Sequence, residues 1–515
     1  MEGRTLWELI ERRAAATPSA VMTVDEAGAT MTFDEYRRAA EEAAAGLQDA
    51  GVAEGVNVSW ELPTWMESMV LVAALARLGA VQNPLLPIYR AREVGFITRQ
   101  TGAHLLIVPS TWRGFDYEAM AAQVAGEQSG LDVLVCDRAL PRGDPASLPP
   151  PPATPDHPGD LPVRWLFYTS GTTADPKGAQ HTDATVAAAA IGMSKVVEIT
   201  EADRSALVFP FTHIGGIVWL FTSLLTGCRL IVVETFDPAT TIPVLAREAV
   251  TLAGAGTPFH LAYLSEQRKD PAKPLFPEVR AFPGGAAPKP PQLHADIKAE
   301  MGGVGIVSGY GLTECPILSM NGVRDPDDKL AATEGRPTPG VEVRLVTVEG
   351  ATAGTGEEGE IRVRGPQLFR GYLDPSLDAD AFDDLGFFRT GDLGRQDGDG
   401  FLIITGRLKD IIIRKGENIS AKEIEDLLYS HPKVADVAVI GLPDPALGER
   451  CCAVVAVKDG AAPITFPELV SFLQDHHLMV QKIPEQLEIV DTVPRNPSGK
   501  ILKHKLREQF AAVDS

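Results

Sequence analysis

The chain has 515 residues, a length that fits about three domains or one large domain with a smaller one. Hydrophobic residues make up 44% of it and charged residues 23%, proportions that are ordinary for a soluble globular protein. The formal net charge of −22 argues against broad binding to nucleic acid or to an anionic membrane. An anionic ligand therefore needs a local site lined by amides or basic groups.

The five cysteines are odd in number and lack the spacing of metal ligands, which favours free thiols in a reducing compartment. Cys451 and Cys452 are adjacent in a strand-like run and should point to opposite faces of a sheet. The N-terminus lacks a basic segment followed by an apolar one, and no apolar run reaches membrane-spanning length. These features predict a cytoplasmic protein with no membrane insertion and no nucleic-acid partner.

Strands and helices alternate through the N-terminal part. Capping boxes at residues 5–8 (TLWE) and 32–35 (TFDE) predict helices over 9–15 and up to Ala50. The apolar pattern predicts strands at 21–24, 56–61, 105–109 and 133–136 and a helix at 65–78. Such alternation is typical of a parallel α/β sheet with right-handed crossovers. The proline-rich segment at 148–162 is typical of an extended connector.

The stretch at residues 168–178 (YTSGTTADPKG) has the composition of a loop that holds phosphate groups. It follows a strand-like apolar run and precedes Thr182 and Asp183, which are expected to cap an alanine-rich helix. Its glycines allow backbone amides to face one anion, and its hydroxyls and Lys177 add donors. The spacing is not that of a Walker A loop, because Pro176 stands where that loop has glycine. By itself the stretch is also compatible with a glycine-rich surface loop without a ligand.

The next part again alternates strand-like runs with stretches of helical length; the runs lie at 206–209, 229–233, 251–255, 279–282 and 305–307. Glycine-rich turns at 282–287 (FPGGAA) and 308–314 (SGYGLTE) follow the last two runs. Because ligands of open α/β sheets lie beyond the carboxyl ends of the strands, a site is expected at these turns.

From Gly335 onward, short alternating runs such as 341–346 and 359–364 predict a small β barrel or sandwich. Near residues 406–410 (GRLKD) the pattern changes again. A compact α+β unit is predicted there, with strands at 411–413, 437–440, 452–457 and 487–490, a helix capped at Ser420 and another helix from Thr465. Two prolines and a glycine place Lys500 in an exposed loop, so the small domain is expected to swing.

Five motifs together resemble the adenylate-forming enzymes: the acyl- and aryl-CoA synthetases, peptide-synthetase adenylation domains and beetle luciferases. They lie, in the order and rough spacing of that superfamily, at 168–178, 310–314 (YGLTE), 388–392 (FRTGD), 406–410 and 496–500 (NPSGK). The chain is most similar to an acyl-CoA synthetase, over nearly its whole length. One departure is Ala174, where the family loop usually has glycine; a positive φ there would cost alanine roughly 1 kcal/mol.

The resemblance implies an α/β fold in two parts. Residues 1–405 would form a large N-terminal domain that binds ATP and the acid, with two α/β sheet subdomains and a small β barrel. Residues 411–515 would form a small mobile α+β C-terminal domain that acts as a lid. Residues 406–410 would be the hinge, with Lys409 as the residue that absorbs the rotation.

The resemblance also implies a two-step reaction. A carboxylate attacks the α-phosphate of ATP, pyrophosphate leaves, and a thiol or amine then takes the acyl group from acyl-AMP. Lys177 and the residues before it would hold the β- and γ-phosphates: Thr169, Ser170, Gly171, Thr172 and Thr173. Glu314 would bind Mg2+, with Thr313 near the α-phosphate. Lys500 would bridge the carboxylate and α-phosphate oxygens as negative charge develops.

For the nucleoside, the resemblance implies that Tyr310 stacks on adenine beside Gly311. Two further residues, Gly285 and Ala286, would approach the base with their backbone. Asp392 would accept hydrogen bonds from the ribose hydroxyls, with Arg407 nearby, although an aspartate in that setting is by itself more typical of a turn.

For the second step, rotation of the small domain would bring residues 415–417 to the site in place of Lys500. Gly416 would then line the passage for the pantetheine arm of CoA.

Residues 209–216 (FPFTHIGG) resemble the family segment with a mobile histidine or aromatic residue at the acid site, so His213 is the candidate. A plain packed histidine is the alternative. Gly215 and Trp219 would lie one helical turn apart and face the acyl chain. Trp219 would shorten the pocket, and three small residues would leave it wide: Gly284, Ser308 and Gly309. This predicts a medium-length, alicyclic or aromatic acid rather than a long fatty chain.

The leading interpretation is an acid–thiol ligase that uses ATP, Mg2+ and CoA. One alternative is the same adenylation with transfer to an amine or to the phosphopantetheine of a separate carrier protein. Another is a non-catalytic sensor of acyl groups or nucleotides, which ATP turnover with any acid would exclude. A homodimer is one assembly that the sequence allows.

Overall fold

The computed structural model describes residues 5–169, 176–285, 289–414, 417–444, 447–496 and 499–511. In the N-terminal part, the hydroxyls of Thr5 and Thr32 each accept a hydrogen bond at 3.2 Å from the amide three residues on, so both predicted caps begin helices. The strands are β1 (Val21–Val24), β2 (Thr30–Thr32), β3 (Asn57–Trp60), β4 (Val81–Pro84), β5 (Leu105–Val108), β6 (Thr111–Trp112), β7 (Phe115–Asp116) and β8 (Asp132–Val135). The helices are α1 (Leu6–Ala16), α2 (Phe33–Asp49), α3 (Met66–Leu78), α4 (Ala91–Thr101) and α5 (Tyr117–Gly126).

The central part begins after the proline-rich connector. Its strands are β9 (Trp165–Thr169), β10 (Lys177–His181), β11 (Arg204–Leu207), β12 (Arg229–Val232), β13 (Phe282–Gly284), β14 (Ile306–Leu312), β15 (Cys315–Met320) and β16 (Arg336–Pro337). Its helices are α6 (Asp183–Val197), α7 (Ile214–Thr226), α8 (Pro238–Arg247), α9 (Thr257–Gln267), α10 (Pro291–Met301) and α11 (Asp327–Ala332). The predicted cap of α6 forms, because the Thr182 hydroxyl accepts from the Thr185 amide.

The C-terminal part is richer in antiparallel strands. They are β17 (Glu342–Val346), β18 (Gly359–Arg364), β19 (Phe388–Gln396), β20 (Leu402–Arg407), β21 (Ile411–Arg414), β22 (Glu417–Ser420), β23 (Val434–Asp444), β24 (Gly448–Val457) and β25 (Gln486–Val490). The helices are α12 (Asp378–Ala381), α13 (Ala421–Leu428), α14 (Phe466–Asp475) and α15 (Lys503–Ala511), and a 3-10 turn lies at Leu408–Asp410.

Two α/β sheet systems fill the large N-terminal part. The first has the order β10-β9-β4-β3-β5-β8 and is parallel except for its edge strand β10. In the second system, Leu252 forms one parallel bridge with Ser205 of β11 and another with Ala281, the residue that precedes β13. This joins the order β2-β1-β12-β11 to the order β13-β14-β15-β16. A four-stranded antiparallel sheet, β17-β18-β19-β20, forms the small β unit that follows.

The last part of the chain forms a five-stranded sheet of its own, from β21 to β25. Two hydrophobic clusters cover its two faces, and their members all come from residues 412–510. Cys451 belongs to one cluster and Cys452 to the other, which confirms that their side chains point to opposite faces. All five cysteines are buried free thiols.

Four local predictions need correction. The strand expected at 279–282 lies at 282–284, within the predicted turn, because Phe282 and Gly284 pair with β14. The strand expected at 251–255 is a single bridging residue, Leu252, because its neighbours make no further ladder among the described residues. The turn expected at 308–314 is mostly strand: β14 runs to Leu312 because Gly309 and Tyr310 pair with β15. The Ser420 hydroxyl makes no cap hydrogen bond within α13 and donates to the Thr405 carbonyl at 2.7 Å instead. Within the described part of the chain, no helix has the length and apolar character that a membrane crossing requires.

Candidate active site

The candidate site lies where several parallel strands of the second sheet system end. β11, Leu252, β13 and β14 run parallel, so the residues that follow them share one edge of the sheet. His213 follows β11, and Gly284 pairs with Ser308 at the end of β13. The backbones approach closely here, because a Cβ atom on Gly285 would lie 2.6 Å from the Gly309 carbonyl oxygen.

Tyr310, Asp392 and Arg407 form a compact polar cluster at this edge. The Tyr310 hydroxyl donates to Asp392 Oδ2 at 2.5 Å, and Arg407 Nε lies 2.7 Å from Asp392 Oδ1. Asp392 and Arg407 are paired across the β19–β20 ladder, which fixes their spacing. Burial, and then the charge of Asp392, raise the pKa of Tyr310 well above its usual value, so the phenol stays protonated. This cluster therefore places an aromatic ring beside a carboxylate, which accepts hydrogen bonds, and a guanidinium group, which donates them.

A second cluster surrounds Glu314, in the turn between β14 and β15. Its carboxylate, 8% exposed, accepts a hydrogen bond of 2.7 Å from the Tyr372 hydroxyl. Burial raises the pKa of Glu314, and the Tyr372 hydrogen bond and the charges of Lys177 and Lys500 oppose that rise. The backbone of Thr313 is held by His181, whose Nε2 donates to the Thr313 carbonyl at 2.8 Å. Burial lowers the pKa of His181 to about 4, so this histidine is neutral near pH 7.

Lys500 reaches the first cluster from the C-terminal part of the chain. It lines a cavity of about 200 Å³ together with Tyr310, Gly311, Asp392, Arg407 and Lys409. Burial, and then the charges of Arg407 and Lys409, lower the pKa of Lys500 to about 8. Burial and the charge of Arg407 also lower the pKa of Lys409. The cations that line this partly closed space outnumber the carboxylates that line it, an excess that suits an anionic ligand.

Two hydrogen bonds tie Lys500 to Asn496. The Lys500 amide donates to Asn496 Oδ1 at 2.9 Å, and the Lys500 carbonyl accepts from the Asn496 amide at 2.9 Å. Gly499 has a φ of +86°, a conformation that glycine adopts at little cost, and a Cβ atom there would lie 3.2 Å from Pro258 in α9. Gly499 therefore lies close to α9 of the large N-terminal part.

The predicted acid-binding residues lie at the same sheet edge and in the adjoining core. His213 caps α7, because its Nδ1 accepts a hydrogen bond from the Gly215 amide at 3.1 Å. Burial lowers the pKa of His213 to about 4, which keeps the ring neutral near pH 7. Trp219 is buried in the main hydrophobic cluster, and Gly284 lies against His260. The capping bond also fits the alternative of a packed histidine, so the role of His213 at the acid stays a prediction.

Some predicted site residues lie outside the described residues: Ser170, Gly171, Thr172, Thr173 and Ala174 in the phosphate loop, Ala286, and Lys415 with Gly416. The two ends of the phosphate loop are described. Thr169 and Lys177 pair across the β9–β10 ladder, so these two residues lie side by side at one end of the first sheet.

Sequence reasoning did not find Tyr372 or His181. Tyr372 stands in the segment Gly371-Tyr372-Leu373, which carries no local pattern, and only the tertiary contact with Glu314 makes it notable. His181 had one usable signal, its place directly before the predicted helix cap Thr182.

Comparison with known proteins agrees with this geometry. The family model "AMP-binding enzyme" matches residues 10–373, and the model "AMP-binding enzyme C-terminal domain" matches residues 423–500. The medium-chain fatty-acid–CoA ligase of Escherichia coli is 31% identical over 97% of this chain and 89% of its own length. The salicyl-AMP ligase/salicyl-S-ArCP synthetase of Mycobacterium tuberculosis is 30% identical over 99% of this chain and 91% of its own length.

A solved structure extends the similarity to the fold. The O-succinylbenzoate coenzyme A synthetase of Bacillus subtilis, in complex with ATP and magnesium ion, superposes with a TM-score of 0.82 at 26% identity, covering 98% of each chain. The resemblance stated from the motifs and the predicted fold class are thereby confirmed. This chain belongs to the AMP-binding enzyme family.

Proposed function

We propose that this protein is an AMP-forming acid–thiol ligase that activates a carboxylic acid with ATP and transfers the acyl group to CoA. One observation carries the proposal: the cavity that brings Lys500 to Tyr310 and Asp392. A nucleotide in that cavity would have its base on the Tyr310 ring and its ribose at Asp392, with Lys500 near the α-phosphate. Lys177 would face the remaining phosphates, together with the hydroxyls of Thr169, Ser170, Thr172 and Thr173, and Glu314 would approach them through Mg2+.

Magnesium fits the carboxylate that the site offers. Among the described residues no three His, Cys, Asp or Glu side chains group as ligands, which suits an ion bound by one carboxylate and by phosphate oxygens. Glu314 would hold Mg2+, and the ion would neutralise charge on the phosphates. The chain's own residues would orient the nucleotide, exclude water and donate hydrogen bonds to the α-phosphate oxygens.

The second step would follow rotation of the small domain. We assign residues 1–405 to the domain that binds ATP and the acid, 406–410 to the hinge, and 411–515 to the lid. Lys409 lies in the 3-10 turn that joins them, and Arg507 of the lid forms an ion pair of 2.9 Å with Asp410. A change in that pairing would accompany rotation, after which Gly416 would line the passage of the pantetheine arm.

CoA is the proposed acceptor, and an amine or a carrier-protein phosphopantetheine is the alternative. The E. coli relative is a CoA ligase, whereas the salicyl-AMP relative is also named as a synthetase of a carrier-protein thioester. Incubation with ATP, Mg2+ and acid, with and without CoA or an amine, separates the two. AMP formation that depends on CoA supports the thiol ligase, and AMP formation that depends on an amine refutes it.

We predict that medium-length, alicyclic or aromatic acids are the best substrates. Trp219 would close the far end of the acyl pocket, and Gly284, Ser308 and Gly309 would add no large side chain of their own to it. Octanoate, cyclohexanecarboxylate and benzoate should each release pyrophosphate with a kcat/KM at least about tenfold above that of palmitate. A profile that peaks at palmitate or longer acids would contradict this assignment of the pocket.

We also predict that the adenylation step slows as pH rises above about 8. Lys500 has a pKa lowered to about 8, so it carries its charge below that pH and loses it above. The kcat/KM for ATP reports on the free enzyme and can be followed by ATP–pyrophosphate exchange from about pH 6.5 to about pH 9.5. Lys500→Arg keeps its charge throughout this range, so its residual activity should not fall with the same midpoint. An identical decline in that variant would assign the titration to another group.

The cytoplasm is the proposed compartment, which suits the free thiols. A homodimer is the proposed assembly, and sedimentation of the purified protein at several concentrations tests it.

A further inference from the structure

Tyr372 lies between two side chains that the proposed function places on the phosphates and the metal. It is 5% exposed, its hydroxyl donates to Glu314 Oε1 at 2.7 Å, and Lys177 Nζ lies 5.2 Å from the centre of its ring. Glu314 and Lys177 belong to different elements, the β14–β15 turn and the start of β10. One aromatic side chain therefore contacts both groups, with its hydroxyl on the anion and its ring near the cation.

Backbone hydrogen bonds and an aromatic contact fix the position of Tyr372. The backbone beside it pairs with β10, in hydrogen bonds of 2.8 and 3.1 Å that involve the residues before and after Tyr372. The Tyr372 amide donates to Asp378 Oδ1 at 2.9 Å, and Phe369 packs edge-on with 4.8 Å between the ring centres. A side chain held in one position restricts the positions of the groups that it contacts.

The two contacts have distinct physical consequences. A hydrogen bond to one oxygen of a carboxylate restricts its rotation, and so sets the direction of the other oxygen. The negative face of an aromatic ring attracts an ammonium group and restrains it without neutralising its charge. We propose that Tyr372 is a positioning residue that holds Glu314 and Lys177 in register for magnesium-bound ATP. This inference rests on the proposed function, because that function places ATP and Mg2+ at these two groups.

A tyrosine that only fills the core would behave differently when its hydroxyl is removed. Tyr372→Phe retains the ring, its packing on Phe369 and its contact with Lys177, but loses the hydrogen bond to Glu314. Tyr372→Leu loses both the hydroxyl and the ring. Tyr36→Phe is a matched control, because the Tyr36 hydroxyl is also buried and donates to the Met69 carbonyl at 2.9 Å, in another part of the fold.

Isothermal titration of ATP into each variant, with Mg2+ in excess or with EDTA in its place, tests the inference. Tyr372→Phe should raise the Kd for ATP by about tenfold in Mg2+ and leave it unchanged in EDTA, because only the metal ligand is disturbed. Tyr372→Leu should weaken ATP binding in both conditions. Tyr36→Phe should match the wild type in both, and thermal unfolding of each variant monitors the fold.

A double-mutant cycle gives a second measurement. In a Glu314→Gln background, Tyr372→Phe should have no further effect on the Kd measured in Mg2+, because the orienting bond then has no metal ligand to act on. Equal affinities of the wild type and Tyr372→Phe in Mg2+ would overturn the inference while leaving the proposed function intact. A wild-type protein that binds ATP in neither condition would refute the proposed function, and with it the role of Tyr372.

Discussion

Replacing Lys500 with alanine will slow acyl-adenylate formation by roughly 10²–10³-fold, and will leave thioester formation from supplied acyl-AMP near the wild-type rate. The first effect follows from the cavity, in which Lys500 lies with Tyr310 and Asp392. Negative charge develops on the α-phosphate oxygens during attack by the carboxylate. A cation already placed there stabilises that charge without reorganising, and alanine cannot replace it.

Thioester formation should stay near the wild-type rate because Lys500 is proposed to act only in the first step. Gly499, next to Lys500, lies close to Pro258 of α9 in the present arrangement, and rotation of the lid would separate them and withdraw the lysine. A residue withdrawn from the site cannot affect transfer to the thiol. Both half-reactions should therefore be measured separately, the first by ATP–pyrophosphate exchange and the second by loss of thiol with synthetic acyl-AMP.

Lys433→Ala is the matched control for this experiment. Lys433 is another lysine of the C-terminal part, paired with Glu468 at 2.8 Å and absent from the lining of the cavity. Its replacement should alter neither half-reaction. Equal losses in both half-reactions of Lys500→Ala would show that Lys500 supports the fold or the nucleotide site as a whole, and would contradict its assignment to the first step alone.

Features with a local cause were predictable from the sequence. The helices after Thr5 and Thr32 begin as predicted because each cap depends only on residues three positions apart. The motifs around Tyr310, Asp392 and Lys500 were also recognisable, because the resemblance to the family was carried by short segments. The structure adds the contacts between those segments, such as the 2.5 Å bond from Tyr310 to Asp392.

Features with a distant cause were not predictable. Ser420 precedes a helix with a capping pattern, but its hydroxyl donates to Thr405 in a neighbouring strand. β10 becomes a strand because it pairs with β9 and with the residues on either side of Tyr372, and its own polar sequence gives no such signal. In each case the partner is far away along the chain, and a local sequence pattern carries no information about such a partner. Tyr372 was missed for the same reason.

Asp392→Ala should raise the KM for ATP by roughly 100-fold, the largest effect expected on nucleotide binding. Its carboxylate accepts from Tyr310 and is paired with Arg407 at 2.7 Å, so removal takes away the proposed ribose ligand and leaves both partners unsatisfied. Asp392 also helps to keep Lys500 protonated, because its charge raises the pKa of that lysine. The pH at which adenylation declines should therefore move below that of the wild type.

A second ion pair with a buried aspartate serves as a control that distinguishes loss of nucleotide binding from loss of stability. Asp203 lies 2.6 Å from Arg280 Nε, and the exposed fractions of the two side chains, 4% and 33%, nearly equal the 5% and 32% of Asp392 and Arg407. Asp203→Ala should lower the free energy of unfolding by about 3 kcal/mol, and by at least as much as Asp392→Ala, because it leaves an arginine without its carboxylate and also removes the acceptor of Thr200 and Thr251. Only Asp392→Ala should change the KM for ATP. If Asp203→Ala raised that KM equally, the effect would be one of general destabilisation, and Asp392 would lose its place in the nucleotide site.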